Sequence, residues 1–256
     1  MMSKFKDAQD IGLGLIRYVQ TLLPITISKS DAASDPAIQL QWIPVRLAGT
    51  LESVLLLGKS DRHEDSAALV RVMADHLIVF GWLLADEKPP ERINAWKNDD
   101  VRHIHALRNN LVKLKVDGDL PDSLGKLDTS TTWVSAETAA RQCDEFWEPK
   151  LIPFFQPGTV LSFRGLYAAV FRRTSPYVHP SLRGSTGFFT TPNDEDGRVF
   201  FLNQSHADLP MIYVHAVVIE LLAVWILAAR FRHKEVKNVL PFFDRVVSKL
   251  FSVEDE

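Results

Sequence analysis

The stretch FRRTSPYVHP, residues 171–180, sets Arg173 and His179 five intervening residues apart. A histidine titrates near neutral pH and can carry a proton. A guanidinium stays charged and can hold the negative charge of a phosphate. Together they suit phosphodiester cleavage without a metal, with His179 as general acid and base and Arg173 stabilising the transition state. The same ten residues also read as a helix ending. Arg173 would then sit beside the last helical carbonyls, Ser175-Pro176 would be an N-cap with proline at the first helical position, and Pro180 would close the turn. Spacing alone favours this second reading, because an Arg and a His this far apart are common.

A second polar set lies earlier in the chain. Arg71 and Asp75 are four residues apart and share a helical face among apolar neighbours, the pattern of a partly buried ion pair. Glu52 stands similarly, a carboxylate inside GTLESVLLLG. Buried charges cost several kcal/mol unless paired, about the scale at which such residues fix a register or line a site. If Glu52, Arg71, Asp75, Arg173 and His179 converge, they form one internal polar cluster; if they do not, each is a solvated side chain.

Other chemistries have less support. In DDVRHIH, Asp99 and Asp100 precede His103 by four and three residues, so a carboxylate and an imidazole can share a face, but no HExxH or paired cysteines accompany them. No metal and no cofactor are expected. GLGL at 12–15 lacks the full phosphate-loop fingerprint, and no serine sits in a G-x-S-x-G elbow. The one cysteine, Cys143, excludes an internal disulfide and reads as an ordinary buried residue of a reducing cytoplasm. The tail AARFRHKEVKNV gathers Arg230, Arg232, His233, Lys234 and Lys237, which is a solvated helix end or a local positive patch.

These residues must be held by something, and composition says what. The chain has 256 residues, 46% of them hydrophobic and 24% charged, with a formal net charge of −3. That is enough apolar material for one large domain, and no overall basic surplus draws it to nucleic acid or to an anionic membrane. Apolar residues recur at three- and four-residue spacing, which predicts helices over about 5–23, 37–58 with a kink at Pro44, 63–86, 90–115, 135–148, 159–173, 208–231 and 235–251. In the third of these, Leu69, Val70, Met73, Leu77, Phe80 and Leu84 fall on one face, with Glu64 and Asp65 favourable at the N-terminal dipole. The run 211–230 has the length of a membrane span but contains His215 and Glu220, so it reads as a buried core helix. GFFTT and RVFFLN flank PNDEDG and can pair as a short hairpin. The expected architecture is all-α: a multi-helix bundle in one domain over 1–256, with a small irregular or hairpin insertion near 183–206.

The segments LVRVMADHLIVFGWLLAD, PPERINAWKNDD and YAAVFRRTSPYVHPS resemble a bacterial family of helical proteins, the domain of unknown function five-six-seven-seven. The matching positions are Arg71, Asp75, Trp82-Leu83 and Val178-His179-Pro180, and the likeness spans about 45–235. The family brings no established activity. An Arg followed within a few residues by a His in an all-helical bundle also resembles the HEPN superfamily, whose active members are metal-independent RNases of toxin and antiphage systems. That resemblance implies a catalytic centre at Arg173 and His179, often shared across a homodimer, with Arg71, Asp75 and Glu52 behind it. RNA contacts then fall to Arg172, Arg183 and Arg232. Thr174 and Pro176 depart from the superfamily pattern, in which a polar residue follows the Arg and the intervening segment is uninterrupted. The alternative is a helical interaction or sensor protein without activity. The expected location is the cytoplasm, with RNA as the expected partner and no membrane contact.

Overall fold

The computed structural model describes residues 2–22, 36–60, 62–86, 90–114, 134–151, 162–171, 189–190, 200–201, 209–231 and 236–250. Its helices are α1 (Met2–Leu22), α2 (Trp42–Lys59, after a 3₁₀ turn at Pro36–Gln41), α3 (His63–Leu84), α4 (Pro90–Leu114) and α5 (Ala136–Leu151). They continue with α6 (Phe163–Leu166, widening into a π turn at Tyr167–Phe171), α7 (Leu209–Phe231) and α8 (Val236–Leu250). The protein is an all-α bundle. The expected hairpin is present as two residue pairs, Phe189 opposite Phe201 and Thr190 opposite Phe200, antiparallel.

The bundle is built around α7. A helix that is apolar on every side has to be surrounded, and every residue from Ala216 to Ala228 is buried. Helices α1, α2, α3 and α8 supply the surround. Both α3 and α7 are long and apolar enough to cross a bilayer by length and composition, and here they pack on each other inside the protein. Helix α8 covers one flank of α7 with Val239, Phe243, Val246 and Leu250, which follow one another at four- and three-residue steps, and Lys249 reaches Asp7 of α1 at 3.2 Å.

Close approach explains two glycines. A Cβ on Gly12 would lie 3.2 Å from Leu55 and 3.3 Å from Val217, so GLGL is where α1 sinks into the groove between α2 and α7. A Cβ on Gly81 would lie 2.8 Å from Phe163 and 3.2 Å from the Cys143 sulfur, so α3 takes α5 and α6 against its backbone there. Two bonds fasten that contact: Trp147 Nε1 donates to the Gly81 carbonyl at 2.9 Å and Trp82 Nε1 to Gln142 Oε1 at 2.6 Å.

Pro44, where a kink was expected, falls in the first turn of α2, immediately after the 3₁₀ turn at Pro36–Gln41, a position where proline is tolerated.

Candidate functional site

Helix α6 leads directly into FRRTSPYVHP, and two contacts set its direction. At its start, Asp144 of α5 accepts from the Phe163 amide at 2.6 Å and from the Arg164 amide at 3.1 Å, while the Ser162 hydroxyl accepts from the Gly165 amide at 2.8 Å. Three of the orphan N–H groups of the first turn are thereby satisfied. Burial holds the Asp144 carboxyl above its ordinary range, and the two amide bonds pull it partly back.

At its end, Arg71 of α3 donates to the Phe171 carbonyl at 3.4 Å with its guanidinium carbon 4.6 Å from the centre of the Phe171 ring. Tyr167 lies on the other turn of α6, its ring centroid 4.7 Å from that of Phe171. Guanidinium and two rings so form one half-buried group, and the chain leaves it at Phe171. Tyr167 and Phe171 are four residues apart in this π turn, a spacing that keeps both rings on one side of the helix. Asp75, one turn along α3 from Arg71, is half-buried; burial raises its carboxyl above the ordinary range, and Arg71 and then His76 offset part of the rise.

Arg71 thus meets the end of α6 and Asp75 lies one turn along α3 from it; the expected centre they would support lies outside the described residues. Glu52 is a correction: it lies on the exposed face of α2 and joins no interior cluster, because Leu51, Val54 and Leu55 take the buried face of that helix. Arg172, Arg173, His179, Arg183 and Arg232 lie outside the described residues. Asp99 meets His103 at 3.3 Å and Arg102 at 3.4 Å on the surface of α4, and the side chain of Asp100 is outside the described residues. Among the described residues no group of three or more His, Cys, Asp or Glu side chains is placed to hold a metal ion. Cys143 is buried against the Ile78 carbonyl, and burial, with Asp144 next to it, pushes its thiol well above the ordinary range. It is held as a neutral thiol.

Sequence reading missed a cleft of about 670 Å³ between α5 and α6. Its walls include Glu137, Arg141, Asp144, Glu148, Arg164 and Tyr167, with Glu145 alongside paired to Arg141 at 2.6 Å. Four carboxylates against two guanidiniums do not suit a polyanion. The one local signal was Ser162, a capping residue directly before Phe163; nothing local marks Asp144 as its companion from another helix.

The chain belongs to the Family of unknown function (DUF5677), whose model matches residues 45–197, more than half of it. The match begins where the resemblance was expected to begin and covers most of α2 and all of α3 to α6, leaving α1, α7 and α8 outside. No curated protein and no solved structure matches the chain.

Proposed function

We propose that this protein acts on RNA, as a HEPN-like endoribonuclease or RNA-binding module of bacterial toxin or defence type, through Arg172, Arg173, His179 and Arg183. The observation that carries the reading is the hold of Arg71 on Phe171, two residues before Arg173. A catalytic pair on a free segment would lose most of its advantage to misorientation, and a fixed point of departure next to it supplies orientation. Asp144 and Ser162 fix the opposite end of the same helix.

In the cleavage reading His179 takes the proton from the 2′-hydroxyl, whose oxygen attacks the adjacent phosphorus. The bond from phosphorus to the 5′-oxygen breaks, and that oxygen leaves as a hydroxyl by taking the proton back from His179, which returns to its neutral form. The other product ends in a 2′,3′-cyclic phosphate. Arg173 holds the charge on the phosphoryl oxygens throughout. No oxidant and no metal enters the balance.

The test is cleavage of a mixed RNA pool in excess EDTA by the wild type, His179→Ala and Arg173→Ala at matched folded fraction. Cleavage by the wild type, lost in both variants and absent on DNA, supports the nuclease. Retained RNA binding without cleavage supports the binding module. Absence of both, with the variants destabilised, makes FRRTSPYVHP a helix terminus and overturns the proposal.

A further inference from the structure

We draw no further inference here: the strongest candidate, the acidic cleft between α5 and α6, is a cluster of carboxylates lined, among the described residues, by no buried unpartnered polar side chain, so nothing in the structure shows what it would bind.

Discussion

The guanidinium of Arg71 stands over the ring of Phe171 and donates to its carbonyl, joining two residues a hundred positions apart. The contact ties the middle of α3, one of the helices packed on the central α7, to the last residue of α6 before the Arg-rich segment. Arg71→Ala should lower stability by about 1–2 kcal/mol, the sum of one charge-assisted bond and one cation–π contact. Arg71→Lys keeps the charge but loses the planar stack, and should recover about half of that loss. Denaturant unfolding measures both. If the RNA reading is right, cleavage at matched folded fraction falls in the same order.

Asp144 carries the start of α6. Asp144→Ala should cost about 1–2 kcal/mol, as losing a cap does, and Asp144→Asn less. Hydrogen exchange separates this from general loosening: the amides of Phe163 and Arg164 should exchange faster than those of α7 by a clear margin.

Glu220 is the one fully buried carboxyl of α7, and neither of its oxygens has a hydrogen-bond partner. Burial holds it well above the ordinary glutamate range. The native state therefore keeps a proton that the unfolded chain releases near pH 4.3, about the value for free glutamate. Its proton-linked stability is full below that pH and falls as pH rises towards the folded value. Glu220→Gln should flatten this part of the pH–stability curve. Glu220→Leu should stabilise by about 1–3 kcal/mol, since it removes an unsatisfied buried polar group. A curve unchanged by both substitutions would show that the carboxyl is not desolvated as described.

The seam between α3, α5 and α6 has no spare room at Gly81. Gly81→Ala should cost about 1–3 kcal/mol through overpacking, read as a drop in melting temperature. The same seam shields Cys143, whose reaction with a thiol reagent should be negligible in native protein and rapid in denaturant.

Periodicity made the helices legible. Apolar residues at three- and four-residue steps marked α1, α3, α4, α7 and α8 to within a few residues, and the apolar run around Glu220 identified the buried helix, because a helix without a polar face has only one place to go. The hairpin was legible from its aromatic flanks. Glu52 was not, since its carboxylate sits in a run whose apolar members Leu51, Val54 and Leu55 turn to the other side of the helix. Its spacing fits either face, and only packing against α1, α3 and α7 decided which was inside.

The sequence by itself determined that this chain would fold as packed helices and which residue types stood ready for chemistry. Only the tertiary structure decided that Arg71 would meet Phe171, that Asp144 would cap a helix starting nineteen residues beyond its own position in the chain, and that Arg46, Gly49 and Glu52 would be exposed on one helix. The reason is range. Hydrophobic periodicity is a property of neighbours along the chain, whereas caps, stacks and faces are made between elements whose separation in sequence carries no signal of their contact.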